Sequence, residues 1–339
     1  MYYHTVVVTC TSLRSFTILW LSYLISAIGT RMADFAITLW VWDQTGSATA
    51  LTLWGFFYQL PRLFTSLFAG ILVDRASRKY LMILGETVAA TTTLVLVSLY
   101  LTGQLAIWHL YVAFCLNGGF EKFWEISYRA SLTMLVKPNQ YIRANSMNAA
   151  IGYVSAIVAP ALGAVLYPII GLGGIWPINL ATFVIAITII ALLKIPQPLP
   201  EDNPAQKTAS RIATVWKEVT FGFRYLLGSP NLRALLLVTT LFWAVLNLTN
   251  LIYDPMILAR TNGSSEVLAA VSSIAGIGGL TSAVLVSLWG GPKRRVSGML
   301  AGFMSAGLAK TVFGLGQGLS VWLPAQFCSS MSFPLIESS

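Results

Sequence analysis

The sequence predicts an all-α protein that crosses a membrane many times, and three observations predict it. Of 339 residues, 56% are hydrophobic and only 10% charged, with mean hydropathy +0.73; an ordinary soluble domain carries about 25% charged residues. Apolar runs of about 20 residues recur along the chain, the length that roughly 30 Å of hydrocarbon requires at 1.5 Å per residue. The runs also lack the alternation of a membrane barrel strand, and in lipid a helix satisfies its own backbone hydrogen bonds.

The spans follow in order. Phe16–Trp42 is longer than the core of a cleaved signal and is read as a retained helix. Ala48–Val73 and Tyr80–Leu101 are joined by a hairpin so short that they must lie side by side and antiparallel. Ile107–Leu135 qualifies by length although four charged residues fall in its second half. Ser146–Leu166 and Trp176–Leu193 complete a first group of six. Ile195–Lys207, with four prolines, can be neither helical nor buried and reads as a linker. In Ala209–Leu227 the residues Ile212, Val215, Trp216, Val219, Phe223 and Leu226 keep a helical period, with Gly228 as a stop. That pattern fits a helix lying on the membrane surface, or a plain spacer between two bundles. Leu232–Leu258, Val267–Trp289, Val296–Leu315 and Leu319–Ile336 are the seventh to tenth spans. The expected domains are a six-helix N-terminal bundle (1–194), a cytoplasmic linker (195–231) and an incomplete C-terminal bundle (232–339).

The net charge of +9 is distributed by topology, which argues against nucleic acid as a partner. Sixteen of the 21 Lys and Arg fall on one side of these spans, including Arg75, Arg78, Lys79, Lys137, Arg143 and Lys293 to Arg295. On the other side stands Arg260; Arg31, Arg62, Lys122 and Lys310 lie inside spans. By the positive-inside rule the N-terminus and every even-numbered loop are cytoplasmic. The three cysteines are far apart, with neither a disulfide framework nor metal-ligand spacing.

The hairpin Gly70-Ile-Leu-Val-Asp-Arg-Ala-Ser-Arg-Lys79 resembles the loop signature of the major facilitator superfamily, Gly-x-x-x-Asp-Arg-x-Gly-Arg-Arg/Lys, with Ser77 in place of a glycine. Trp289-Gly-Gly-Pro-Lys-Arg-Arg295 repeats its closing basic pair. In that alignment Arg294 and Arg295 meet Arg78 and Lys79, and the acid is missing from the second copy. The resemblance implies two six-helix bundles that alternate access to a central site. It also implies a gating latch at Gly70, Asp74, Arg75, Arg78 and Lys79. A complete member has twelve spans, so the chain is read as C-terminally truncated. Span five carries Ser155-Ala-Ile-Val-Ala-Pro160-Ala-Leu-Gly163, similar to the family's antiporter motif, with Ala159, Pro160 and Gly163 as the expected helix bend. Arg143-Ala-Asn-Ser-Met and Gly46-Ser-Ala-Thr-Ala-Leu resemble the branch of macrolide-efflux and enterobactin-exporter-like drug:proton antiporters.

Charged groups inside spans cost on the order of 3 kcal/mol to insert and therefore mark a bundle interior or a wet cavity. Arg31 and Asp34, three residues apart on span one, either neutralise each other or serve the cavity. On span four, Asn117, Glu121, Trp124, Glu125 and Tyr128 make one polar and aromatic stripe, as a cavity wall would. Glu125 has Lys122 and Arg129 one turn away on either side and suits a salt-bridge cluster. Glu121 is poorly matched on its own helix. Asn247, Asn250 and Asp254 on span seven, with Arg62 on span two, extend the candidate substrate and proton cavity. Asp34 and Glu121 are the candidate proton carriers, either of which is alternatively a structural charge paired with Arg31, Arg62 or Lys122. Glu86, near the start of span three, is expected to pair with the neighbouring cytoplasmic cations, and Lys310 either snorkels or meets an acid from another helix.

The expected function is therefore secondary active efflux of amphiphilic drug-, macrolide- or siderophore-like molecules, coupled to protons, by a plasma-membrane monomer. Its partners are the bilayer, a small molecule and protons, with no cofactor or metal. The alternative is a truncated membrane fragment that transports nothing. An enzyme is not expected, because the loops are short and the two histidines, His4 and His109, are isolated.

Overall fold

The computed structural model describes residues 13–193, 195, 228–290, 292 and 295–337. The linker beyond Ile195, the amphipathic Ala209–Leu227 segment and the basic residues Lys293 and Arg294 lie outside the described residues. The helices are α1 (Leu13–Thr45), α2 (Ala48–Arg75), α3 (Arg78–Leu101), α4 (Ile107–Leu135), α5 (Tyr141–Leu192), α6 (Pro230–Arg260), α7 (Ser265–Trp289), α8 (Arg295–Leu315) and α9 (Leu319–Glu337). α5 contains both the fifth and the sixth span. Its backbone stays helical through Pro160 and breaks at Gly171 (φ 61, ψ −171), the left-handed region that glycine enters without a Cβ clash. The loop expected between Leu166 and Trp176 is thus one residue of reversed backbone.

The opening of α7 in the second bundle repeats that of α2 in the first. α2 starts at Ala48 and α7 at Ser265, 217 residues apart. Ahead of α2 and α7 stand Gly46 (φ 56) and Gly263 (φ 83), followed by Ser47 and Ser264 as N-caps. The Oγ of Ser47 accepts from Ala50 N at 3.4 Å and that of Ser264 from Val267 N at 3.3 Å.

Within the first bundle α1 packs along α5, α2 along α4, and α3 against both α4 and α5. In the second, α9 lies between α7 and α8. The bundles meet along two seams, α5 with α7 and α2 with α6. At the first, Gly276 of α7 sits so close to α5 that a Cβ there would meet Tyr153 O at 3.0 Å and Ile157 N at 3.1 Å. Ser273 Oγ donates to Ile157 O at 3.0 Å beside it.

Two buried clusters locate the core. At the end bearing Gly46 and Gly263, residues of the first bundle (Ile37, Val41, Phe114, Trp176) join residues of the second (Ile257, Leu268, Phe313, Trp322). At the opposite, basic end, Phe16, Leu19, Met82, Trp124, Leu135 and Ile190 form a cluster drawn from the first bundle alone among the described residues. The bundles are therefore joined at the end remote from the basic loops. Large apolar side chains such as Leu101, Leu192 and Leu288 are more than 70% exposed. A soluble monomer rarely presents so much apolar surface, whereas hydrocarbon is the natural surrounding for it.

Candidate functional site

The inner faces of α1, α2 and α4 bring most of the intramembrane charge of the first bundle together. Glu125 of α4 gathers three cations: Arg62 Nη2 of α2 at 3.0 Å, Lys122 Nζ at 2.9 Å and Arg129 Nη2 at 3.2 Å. The two contacts within α4 follow from helical geometry, since residues three and four apart share a face. The Arg62 contact comes from tertiary packing and closes the cluster against α2. Arg62 also lies 5.8 Å from the ring centroid of Tyr58.

Glu121, one turn before Glu125, forms no ion pair among the described residues. Its Oε2 accepts a hydrogen bond from the Tyr58 hydroxyl of α2. The helices come this close because Gly118 faces the Tyr58 carbonyl, and a Cβ at 118 would land on that oxygen. Gly118→Val should therefore drive α2 from α4, an overpacking penalty of about 1–3 kcal/mol. Thermal unfolding in detergent should show the loss.

Asp34 is half-buried and Arg31 exposed. The direct neutralisation considered from their spacing is absent: Arg31 and Asp34 form no ion pair among the described residues, in contrast to Glu125. Asp34 and Glu121 are thus two carboxylates close to cations but not bonded to them.

Other expected residues sit differently. Trp124 and Tyr128 are buried, 6% and 2% exposed. Their rings stack at 5.2 Å with planes 6° apart and both meet Tyr23 of α1, so burial of aromatic area claims them for the core. Asn117 faces α3, where its Oδ1 accepts from Thr92 Oγ1 at 3.0 Å. Glu86 is 6% exposed and accepts from Ser26 Oγ of α1, at 3.1 Å on Oε2, rather than pairing with the loop cations. Those cations have other work. Arg78 Nη1 donates to Ala130 O at 2.9 Å and Lys79 Nζ to Ala191 O and Leu193 O, at 2.5 and 3.0 Å. Each satisfies carbonyls at the C-terminal end of a neighbouring helix, where a positive charge is also favoured by the helix dipole. The side chains of Asp74 and Arg75 lie outside what the structure describes, and Gly70 faces open space. Of the span-five motif, Ala159 is fully buried and Gly163 lies against Phe35 of α1, whose Cδ1 would be 2.7 Å from a Cβ there.

In the second bundle Asn247 and Asn250 point out of α6. Asn247 Oδ1 accepts from Gln59 Nε2 of α2 at 3.4 Å, a polar link across the seam. Asn250 Oδ1 accepts from Lys310 Nζ of α8 at 3.4 Å, and Asp254 follows one helical turn further along α6. Tyr58, Lys310 and Gln326 were not among the expected site residues. The sequence signal available for Lys310 was a charge inside an apolar span; for Tyr58 and Gln326 there was none. Among the described residues no three of His, Cys, Asp or Glu gather closely enough to hold a metal ion.

Two helical bundles, lipid-compatible exteriors and an intramembrane charge cluster between α2 and α4 define a polytopic membrane transporter. The chain belongs to the Major Facilitator Superfamily, whose model matches residues 19–339. Macrolide efflux protein A of Streptococcus pyogenes is 26% identical over 305 residues, covering 89% of this chain and 73% of that protein. The Enterobactin exporter EntS of Shigella flexneri is 25% identical over 263 residues, 77% of this chain and 59% of the exporter. A bacterial homologue of the human lysosomal transporter Spinster, solved inward-facing and unoccupied, superposes with TM-score 0.64 at 15% identity, over 96% of this chain and 73% of that one. The nucleoside transporter NupG gives 0.63 at 12% identity, over 95% of this chain and 80% of its own. At such identities these two likenesses concern the fold.

Proposed function

We propose that the chain exports amphiphilic small molecules from the cytoplasm in exchange for protons, by alternating access of the two bundles. The observation that carries this reading is the contrast at the inner face of α4. Glu125 is saturated with three cations, while among the described residues Glu121 and Asp34 hold none, which leaves them free to exchange a proton for substrate. The names of the macrolide and enterobactin relatives support efflux as the direction. In this reading residues 1–194 and 232–339 are the moving bodies and 195–231 the connection between them. The protein acts as a monomer.

The orientation proposed puts the basic loops in the cytoplasm of a bacterial cell and the protein in its plasma membrane. Since the bundles are joined at the remote end, the conformation described here is then the one open inward. A cysteine introduced at Ser77, with Cys10, Cys115 and Cys328 replaced by serine, should resist a membrane-impermeant maleimide in intact cells. It should react after permeabilisation. Reaction in intact cells would reverse the orientation.

Efflux itself is tested by the accumulation of a fluorescent amphiphile in cells that produce the chain. Accumulation should be lower than in control cells, and an uncoupler should raise it to the control level. Equal accumulation with and without the chain sinks the proposal.

A further inference from the structure

We infer that the second bundle holds a binding site for the ammonium group of a cationic amphiphile, and that the Lys310 side chain is its tethered occupant when no substrate is present. The inference deepens the transporter reading by giving its cargo a charge and a place.

Lys310 enters the site from α8. Its Nζ donates to Gln326 Oε1 of α9 at 3.2 Å and to Asn250 Oδ1 of α6 at 3.4 Å. It stands 5.1 Å from the ring centroid of Tyr253 and 5.7 Å from that of Phe313. These two rings stack on each other, centroids 5.2 Å apart and planes at 16°. Asp254, next to Tyr253 and one helical turn beyond Asn250 on α6, forms no ion pair with Lys310 among the described residues. Two ring faces, two amide oxygens and a nearby carboxylate supply what an alkylammonium needs: quadrupoles for its charge, acceptors for its N–H groups and an anion to balance it.

A lysine held for structure alone would set its ammonium directly on Asp254, where the Coulomb gain is largest. Here the ammonium rests on neutral acceptors instead, and the carboxylate lacks a bonded cation. The flexible four-carbon stem of lysine lets Nζ withdraw without moving α8. Access is through Asn250, an exposed residue one turn from Asn247, whose bond to Gln59 crosses the seam between bundles. An arriving primary amine would exchange places with Nζ. A neutral molecule of the same shape would gain nothing from the rings or from Asp254, and an anionic one would be repelled.

Monodansylcadaverine, a fluorescent primary amine, and its neutral N-acetyl derivative distinguish these cases by fluorescence titration of the purified full chain in detergent. Lys310→Met should bind the amine roughly tenfold tighter than the unaltered chain, the scale of a vacated cation–π site. The N-acetyl derivative should bind both alike. Asp254→Asn should weaken the amine alone. An affinity for the amine that Lys310→Met leaves unchanged or lowers, or an increase shared by both probes, overturns the inference, as does a Lys310→Met chain that binds no amine. Should the methionine variant aggregate, Lys310→Gln gives the same comparison with a polar end left on the amides. Titration needs no proton gradient. A chain that binds the amine as described but exports nothing would therefore remove the efflux reading and leave this site in place.

Discussion

Cells producing the Glu121→Gln chain should accumulate an amphiphilic dye as fully as cells without the transporter, and an uncoupler should then change nothing. Glutamine fills the same volume and can still accept from the Tyr58 hydroxyl, so the α2–α4 contact survives. What it cannot do is bind and release a proton. At a membrane potential of 100 mV, one proton entering per uncharged substrate molecule is worth about 2.3 kcal/mol, roughly a fiftyfold concentration ratio; against a cationic molecule the exchange is electroneutral and the drive is the proton concentration gradient alone. Losing the exchangeable proton removes that drive while leaving substrate binding in the dark. Asp34→Asn should have the same consequence, because Asp34, like Glu121, is an intramembrane carboxylate without an ion pair among the described residues. Immunoblots must show equal amounts of each protein in the membrane. If both variants export as well as the unaltered chain, protons are not carried at these carboxylates.

How far this arrangement could be read from the sequence differs from element to element. The span limits were legible because hydrocarbon thickness and helix rise leave little freedom: Ile107–Leu135 is the fourth span in sequence and α4 in structure, end for end. Clustered cations around Glu125 were legible for the same kind of reason, since i+3 and i+4 partners are fixed by the helix itself. Contacts that depend on a second helix were not. Asn117, Glu121, Trp124 and Tyr128 lie within one arc of α4, yet they meet different neighbours. Glu121 meets Tyr58 on α2, Asn117 meets Thr92 on α3, and the two aromatic rings meet Tyr23 on α1. A stripe on a helix gives direction but not the identity of the wall it faces. Glu86 shows the same limit, for its expected cations turned to carbonyls of α4 and α5 while Ser26 reached the carboxylate from α1.

Glu125→Gln should unfold the chain more readily than any neutralisation among its partners, by about 3 kcal/mol, the lower end of what breaking a buried ion cluster costs. The asymmetry follows from the count of charges. One carboxylate serves Arg62, Lys122 and Arg129, so removing it leaves three like charges facing one another, while removing one cation leaves the carboxylate with two partners. The side chains of Arg62, Lys122 and Glu125 are 29%, 23% and 22% exposed, dry enough for the repulsion to count but wet enough to keep it from the upper range. Arg129 is 69% exposed, and Arg129→Gln should change stability by only about 0.5 kcal/mol, as exposed pairs do. Removing Arg62 together with Glu125 should recover part of the loss, because the double change takes away one of the stranded cations. Thermal unfolding of the purified variants in one detergent measures all three. A Glu125→Gln chain as stable as the unaltered one would mean that water reaches these side chains freely, and the contrast between Glu125 and its neighbour Glu121 would lose its physical basis.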